Sequence, residues 1–227
     1  TVLRSDWGAA GRYRDSSYVT FDSGSYRTDH SHLDALSITL SAHGHSLLPD
    51  SGLYTYDPSP AWDYFHGTRA HNTVVVDESD QRPGDAVTGS VVEHGKWRYA
   101  SGRHGLYDGV SHRRGVLLLR RDVLLVLDRL SSSTRHTFEQ VWHFEPAGIL
   151  RHDRRSDWIE TENRPALRLL SVTGGRTSTT RVRGRRSPLQ GWYSEEYGKM
   201  VKNWSLAYRQ RARSVRFSTL ILVGRKA

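Results

Sequence analysis

The sequence contains no cysteine, which excludes disulfide bonds, a thiolate nucleophile and zinc held by sulfur. No run approaches the ~18 consecutive apolar residues of a membrane-spanning helix, so we expect no membrane span. The start, T-V-L-R-S-D-W-G, also lacks a basic-then-apolar signal segment and reads like the interior of a protein. We therefore expect residues 1–227 to be one domain of a longer chain.

Basic residues are in excess, since 33 lysines and arginines stand against 24 aspartates and glutamates, for a formal net charge of +9. Such a surface attracts polyanions, among them nucleic acids, anionic lipids and acidic polysaccharides. An arginine-rich genome explains the same excess, so charge alone selects no partner. The basic and aromatic strand pattern of nucleic-acid-binding modules is missing, and we expect no nucleic acid partner.

Short alternating or apolar segments predict strands along most of the chain. Leu36–Ala42 alternates apolar and polar residues strictly, which indicates a strand with one buried face. Gly115–Leu130 has two contiguous apolar runs on either side of Arg120–Asp122, which favours two buried strands, with a buried helix as the alternative. The other predicted strands are Tyr18–Phe21, N-T-V-V-V-D before and at Asp77, Val91–Val92, Trp97–Ala100, Phe138–Phe144, Trp158–Thr161, Ala166–Val172, Ser178–Val182, Ser205–Gln210 and Ser214–Val223.

These segments, roughly a dozen, recur at the spacing typical of β-sandwiches. No stretch shows a capped helical period, and the segment from Tyr54 to Phe65 reads as a loop rich in proline and aromatic residues. We predict an all-β fold, one large antiparallel β-sandwich. Its connections are long, and the 184–203 connection is long enough to suggest a function.

Metal- and proton-binding side chains concentrate between Asp29 and Asp77. Histidine titrates near neutral pH and is the commonest metal ligand in proteins. A zinc site of two histidines and a carboxylate needs ligands from separate segments, and His32, Asp50 and His71 each lie at the mouth of a predicted strand. Spacing alone leaves ordinary surface histidines as the alternative. The stretch contains His30, His32, His43, His45, Asp50, His66 and His71.

The motifs of this stretch, taken in order, resemble those of a known protein family. H-S-H-L-D, then L-L-P-D-S-G-L-Y-T-Y, Y-F-H-G-T-R-A-H-N-T-V-V-V-D and later G-W-Y-S-E-E-Y-G follow one another. In this order they resemble the heparinase II/III family of polysaccharide lyases, which includes alginate and heparan lyases. The resemblance implies that an N-terminal helical toroid of the same parent protein packs on this β-sandwich. The substrate, an anionic polysaccharide, would lie in the cleft between the two domains.

The resemblance also implies roles for individual residues. His30 matches the family's catalytic histidine, and His32, Asp50 and His71 match the ligands of one structural zinc ion. A catalytic tyrosine lies between the last two ligands in some alginate lyases. The candidates for that tyrosine in this chain are Tyr54, Tyr56 and Tyr64, and we favour Tyr56.

Three aromatic residues are candidates for substrate binding: Tyr64, Trp192 and Tyr193. Aromatic rings stack on sugar rings, but packing in the protein core explains Trp192 and Tyr193 equally well. Histidines 43, 45 and 66 are expected to be plain loop residues, and His143 to be a satisfied core histidine.

The activity that the resemblance implies is β-elimination on a polymer that contains uronic acid. Because the toroid would supply the other half of the active site, we expect residues 1–227 alone to show little activity. The resemblance favours a secreted or periplasmic location. The alternative function is a non-catalytic module of the same fold that binds carbohydrate or handles exopolysaccharide.

Overall fold

The computed structural model describes residues 1–9, 11, 13–28, 30–162 and 165–224; Asp29, in the first histidine motif, lies outside them. Strands make up most of the described chain. They are β1 (Val2–Arg4), β2 (Tyr18–Phe21), β3 (Ile38–Ala42), β4 (His45–Leu48), β5 (Val74–Val76), β6 (Val87–His94), β7 (Trp97–Tyr107), β8 (Val110–Arg120), β9 (Val123–His143), β10 (Ile149–His152), β11 (Ser156–Glu160), β12 (Ala166–Ser171), β13 (Ser178–Arg183), β14 (Arg185–Arg186), β15 (Leu189–Gln190), β16 (Trp192–Glu196), β17 (Lys199–Lys202) and β18 (Trp204–Gly224).

A small sheet of four antiparallel strands, in the order β1-β2-β3-β4, forms one layer. Burial alternates along β3, which confirms the predicted strand with one buried face. The strand begins at Ile38, two residues later than predicted, because Leu36 has a left-handed backbone (φ 63°) that an extended strand cannot contain. The expectation that His45 is a loop residue was wrong, since His45 opens β4.

The second layer is a ten-stranded antiparallel sheet. Its path runs β10-β11-β12-β18-β9-β8-β7-β6, with β13 paired to β18 and β5 paired to β9. Strands β9 and β18 are 21 residues each and pair along most of their length. The two strands predicted at Ser205–Gln210 and Ser214–Val223 are one strand, which a bulge between Ala212 and Ser214 interrupts.

The two sheets pack face to face around one apolar core, which confirms the predicted β-sandwich. Phe21 and Leu40 of the small sheet belong to the same buried cluster as Val116, Val126 and Phe217 of the large sheet. The prediction of two strands within Gly115–Leu130 is also confirmed, because β8 ends at Arg120 and β9 begins at Val123. Each strand turns alternate apolar residues towards the core.

Three connections contain structure that the sequence patterns did not predict. Within the segment predicted as a loop, a seven-residue helix α1 (Pro60–His66) begins with the Ser59 hydroxyl accepting from the Trp62 amide. Short 3-10 turns cover Tyr13–Asp15 and Thr68–Ala70. The predicted long connection at 184–203 contains two hairpins, β14-β15 and β16-β17. In the part of the chain described, no helix is long and apolar enough to cross a membrane.

Candidate metal and catalytic site

The structure brings together the three residues predicted as zinc ligands. His32 lies in the β2–β3 connection, Asp50 follows β4, and His71 precedes β5. One ligand atom from each lies within 4.8 Å of the other two. His71 is fully buried and the other two are half-buried, so the cluster opens to solvent on one side.

A tight turn fixes the position of Asp50. Its Oδ1 atom accepts a hydrogen bond from the Gly52 amide at 2.9 Å. Gly52 has φ +83°, and a Cβ atom built on it would lie 1.9 Å from the carbonyl oxygen of Ser194. Only glycine fits there, and Gly52 bridges directly to Ser194 of β16. The D-S-G motif therefore holds the carboxylate against the rest of the sandwich.

Asn72 fixes the position of His71 in the H-N-T motif. Its amide nitrogen donates to the carbonyl oxygens of Ile38 and Pro49, each at 2.9 Å. Its side-chain oxygen accepts from the backbone amide of His143 at 2.6 Å. One buried side chain thus ties three segments to the residue beside the ligand, and these bonds lock the local geometry.

A buried ion pair supports the same loops from the core. The Arg114 guanidinium donates to both carboxylate oxygens of Asp128, at 2.8 and 2.9 Å. Its remaining nitrogen donates to the carbonyl oxygens of Leu36 and Asn72, at 2.8 and 2.6 Å. Burial opposes the charge, yet Arg114 and His112 hold the pKa of Asp128 well below its usual range. The sequence did not indicate this pair, because Arg114 lies just before the apolar segment predicted to begin at Gly115.

The charges of the three candidate ligands are strongly coupled. The Nδ1 atom of His71 lies 2.7 Å from Oδ2 of Asp50. Burial lowers and Asp50 raises the pKa of His71, to a net value of about 9. Burial opposes ionisation of Asp50 while His71 favours it, and the pKa of Asp50 falls to about 2. Burial and the neighbouring His71 lower the pKa of His32 to about 4, so His32 is neutral at pH 7.

This donor set suits zinc. Two imidazoles and one carboxylate with an open side are ligands that zinc accepts in tetrahedral sites. Two donors at about 2.0–2.2 Å from one ion lie no more than about 4.4 Å apart. The three candidate ligand atoms all lie within 4.8 Å of one another, a spacing compatible with one shared ion. Binding would also displace the proton shared by His71 and Asp50.

The two catalytic candidates are neighbours on the open surface. The rings of His30 and Tyr56 meet edge to face with their centres 6.3 Å apart. His30 is exposed and Tyr56 is 56% exposed. The Tyr56 ring in turn stacks on the Tyr197 ring, with the ring centres 6.0 Å apart. The Tyr197 hydroxyl accepts a hydrogen bond from the backbone amide of Tyr56 at 3.3 Å. Both candidates can therefore reach a molecule outside the sandwich.

A model of the Heparinase II/III-like, C-terminal family matches residues 2–220. The chain belongs to this family. Its sequence is 22% identical to a heparin-sulfate lyase of Bacteroides stercoris over 97% of this chain and 32% of that protein. Among solved structures, a heparinase III matches with a TM-score of 0.88 at 21% identity, over 99% of this chain and 35% of that one. A heparan sulfate lyase from Pedobacter heparinus matches with a TM-score of 0.86 at 18% identity, over 100% of this chain and 35% of that one.

These relatives bear on the fold and on the size of the protein. At such low identity the structural likeness shows the shared fold alone, the C-terminal β-sandwich of the heparinase II/III family. The chain spans about a third of the length of the relatives that it matches. Larger members of the family therefore contain further protein that has no counterpart in residues 1–227.

The three predicted substrate-binding aromatics occupy different environments. Tyr64 is 7% exposed, its hydroxyl accepts from the amides of Gly191 and Trp192, and burial raises its pKa to about 12. Trp192 is buried in the same cluster, with Phe65. Both side chains pack in a minor core, as the packing alternative for Trp192 predicted. Tyr193 is half-buried and stays a candidate.

The other histidines singled out in the sequence lie in different surroundings. His66, expected to be a plain loop residue, ends α1, stacks on Trp62 at 4.5 Å and lies 5.7 Å from the His32 ring. Trp62 and His66 are four residues apart in W-D-Y-F-H, a spacing that brings side chains together on a helix. That spacing was the sequence signal for the Trp62–His66 contact. His43 instead pairs with Asp122 at 2.7 Å. His143 is buried, as predicted, with Nε2 2.9 Å from the Arg69 carbonyl oxygen. Among the described residues its Nδ1 has no hydrogen-bond partner, so the prediction of a satisfied core histidine holds for one ring nitrogen only.

Proposed function

We propose that this chain is the β-sandwich domain of a polysaccharide lyase. Its substrate would be an anionic polysaccharide that contains uronic acid, and the reaction would be β-elimination. One observation carries the proposal. In a member of the heparinase II/III-like family, the exposed pair of His30 and Tyr56 lies in the same group of loops as the convergent His32, Asp50 and His71. The names of the similar proteins, heparin-sulfate lyase and heparan sulfate lyase, support the substrate class.

The proposal assigns one structural zinc ion to His32, Asp50 and His71. When bound, zinc would cross-link three loops of the sandwich. Because His30 lies two residues before His32, anchoring His32 would restrict where the His30 ring can point. Asp34, in the same loop, accepts from the Ser37 hydroxyl at 3.0 Å and so holds the loop.

His30 and Tyr56 would carry the proton transfers. One of them takes the proton from the carbon beside the uronate carboxylate, and the electron pair of that C–H bond forms a carbon–carbon double bond. The bond from the neighbouring ring carbon to the glycosidic oxygen breaks, and that oxygen receives a proton from an acid. The charge that develops on the carboxylate needs cations or hydrogen-bond donors beside it. His30 in its protonated form, or groups outside residues 1–227, would supply them.

Half of this site would come from elsewhere in the protein. Since the larger relatives are about three times as long as this chain, we propose that an N-terminal helical domain of the parent closes the cleft over His30 and Tyr56. Residues 1–227 alone would then bind the polymer weakly and turn it over little or not at all.

The test is an assay of the complete natural protein on heparan sulfate, hyaluronan and alginate. Unsaturated sugar ends absorb in the ultraviolet, so cleavage by elimination is followed directly. We expect cleavage of at least one polymer, and a fall of about a hundredfold or more in rate for His30→Ala and Tyr56→Phe. His45→Ala, on β4, is the control and should keep the rate. Binding without unsaturated product on any of the polymers would favour the non-catalytic carbohydrate-binding module.

A further inference from the structure

Four arginines form a single row across the large sheet. Arg103 of β7 lies opposite Arg113 of β8, Arg113 opposite Arg129 of β9, and Arg129 opposite Arg216 of β18. Neighbouring strands are about 4.8 Å apart, so the row is about 14 Å long. All four residues are exposed, on the face of the sheet that points away from the core.

The row has an electrostatic cost, because four like charges lie side by side. Like charges directly opposite each other on paired strands are destabilising. Among the residues that the structure describes, none of the four arginines forms an ion pair or a side-chain hydrogen bond. The groove beside the row has one acidic residue in its lining, Asp128, and that carboxylate is bound to Arg114 in the core. An arrangement that costs stability and has no internal partner indicates an external anion.

The surface next to the row is a groove of about 590 Å³. Its floor has small or apolar side chains, because Ser101, Gly115, Leu127 and Ser218 lie opposite one another in the adjacent register row. The Tyr99 ring covers Gly115, where an added Cβ atom would lie 2.9 Å from the tyrosine hydroxyl. Guanidinium groups along one side of a floor with a tyrosine and a leucine suit a molecule with anionic groups and apolar ring faces.

We propose that this groove is a second polysaccharide-binding surface, on which the arginine row holds the sulfate or carboxylate groups of an acidic polysaccharide. The proposal rests on the proposed function for the choice of polymer, and it adds a binding surface away from the metal cluster. Arg129 precedes Phe138 by nine residues on β9, on the order of 30 Å along an extended strand. Phe138 is one of three β9 residues that pair with β5, which begins three residues after His71.

The arrangement favours a polysaccharide over a nucleic acid. Single-stranded nucleic acids bind to sheets through several aromatic residues on which successive bases stack. Two aromatic residues line this groove, Tyr99 and Phe217. The Phe217 side chain is buried in the core, which leaves Tyr99 to stack beside the four guanidinium groups of the row. Arginine forms paired hydrogen bonds with planar carboxylates and with sulfates or phosphates, so the row recognises repeated anionic groups rather than bases.

The experiment measures binding of fluorescent heparin oligosaccharides to the complete natural protein across a range of salt concentrations. The test variant is Arg113→Gln with Arg129→Gln, which removes the centre of the row. The control is Arg154→Gln with Arg155→Gln, two exposed arginines between β10 and β11 with the same loss of charge. We expect affinity to fall about tenfold in the test variant and less than about twofold in the control. The log–log salt slope should decrease by about two in the test variant only.

Three results would overturn the proposal. They are equal losses in both double variants, an unchanged affinity in the test variant, and row-dependent binding of oligodeoxythymidine that is tighter than that of heparin. Binding needs no bond cleavage, so a protein that fails as a lyase still gives a full answer here. The melting temperature checks folding, and relief of repulsion should leave that of the test variant at or above the wild type. Arg113→Lys with Arg129→Lys keeps the charge but loses the paired hydrogen bonds, and should bind with intermediate affinity.

Discussion

The Arg114 guanidinium donates two hydrogen bonds to the Asp128 carboxylate in the buried interior between the sheets. The pair is part of a longer network. His112 lies 2.6 Å from Asp128, and Gln140 donates to the same carboxylate at 2.7 Å. Thr219 of β18 donates to the Gln140 side chain. Through the Leu36 and Asn72 carbonyls, this network connects the middle of the large sheet to the loops that carry the candidate ligands.

The first prediction concerns Asp128→Asn. The substitution leaves Arg114 charged and buried with no counter-ion, and breaking a buried pair in this way costs about 3–5 kcal/mol. We expect the free energy of unfolding in urea to fall by that amount. Arg129→Gln, the next residue on the same strand but exposed, should change it by less than about 0.5 kcal/mol. A loss below about 1 kcal/mol in the Asp128 variant would show that the network does not stabilise the fold.

The second prediction concerns the pH dependence of stability. The Leu106 amide donates to Nδ1 of His104, so Nε2 of His104 donates to His112, and His112 donates to Asp128. Both imidazoles are neutral in this chain of bonds. Burial and the neighbouring His112 lower the pKa of His104 to about 2. Because the folded-state pKa lies below the unfolded value of about 6.5, His104 contributes stability that is fully present above about pH 6.5 and is lost as pH falls.

The unfolded chain therefore binds a proton at His104 below about pH 6.5 that the folded protein does not bind. Each such proton costs about 1.4 kcal/mol of stability per pH unit. Between pH 6 and 4.5, we expect the unfolding free energy of His104→Gln to fall less steeply with decreasing pH than that of the wild type. The difference in slope should be about 1.4 kcal/mol per pH unit, which corresponds to one proton. The exposed His152, changed to Gln, serves as the control and should leave the slope as it is. Parallel curves for wild type and His104→Gln would contradict the prediction.

The third prediction separates two effects at glycines with a left-handed backbone. Gly44→Ala meets no atom within 4 Å, so it carries only the backbone cost of φ +78°, about 1–2 kcal/mol. Gly52→Ala carries the same cost and also forces Cβ against the Ser194 carbonyl. We expect Gly52→Ala to lose at least twice as much stability in thermal unfolding. It should also weaken zinc binding, which Gly44→Ala should not. Equal effects of the two substitutions would mean that the turn at Asp50 adapts freely.

The convergence of His32, Asp50 and His71 was predicted from the resemblance of their motifs to the heparinase II/III family, since their positions at strand ends alone left ordinary surface histidines as the alternative. The sequence could not predict Arg114 as a buried residue, because H-R-R-G reads as a polar surface segment until strand pairing turns alternate side chains inward. Likewise, the four-arginine row depends on the register of four strands. Register is set by long-range pairing, which periodicity within one strand does not specify.

Two errors in secondary structure have simple physical origins. Strand β18 was predicted as two strands because the polar run R-A-R between them resembles a turn, whereas the chain continues through a bulge at that point. Helix α1 has seven residues, too few to show a helical period, and its S-P start was the only local signal. Both errors come from reading local patterns where packing against the rest of the sandwich decides.

The most direct test of the account is the metal content and zinc affinity of the purified protein. We expect about one zinc ion per chain, and at least a tenfold weaker affinity in each of His32→Ala, Asp50→Asn and His71→Ala. His43→Ala, a histidine of the same stretch that pairs with Asp122 instead, should bind zinc as the wild type does. A folded protein that binds no zinc, or whose zinc affinity is unchanged when His32 and His71 are replaced, would contradict the assignment of these residues as a metal site.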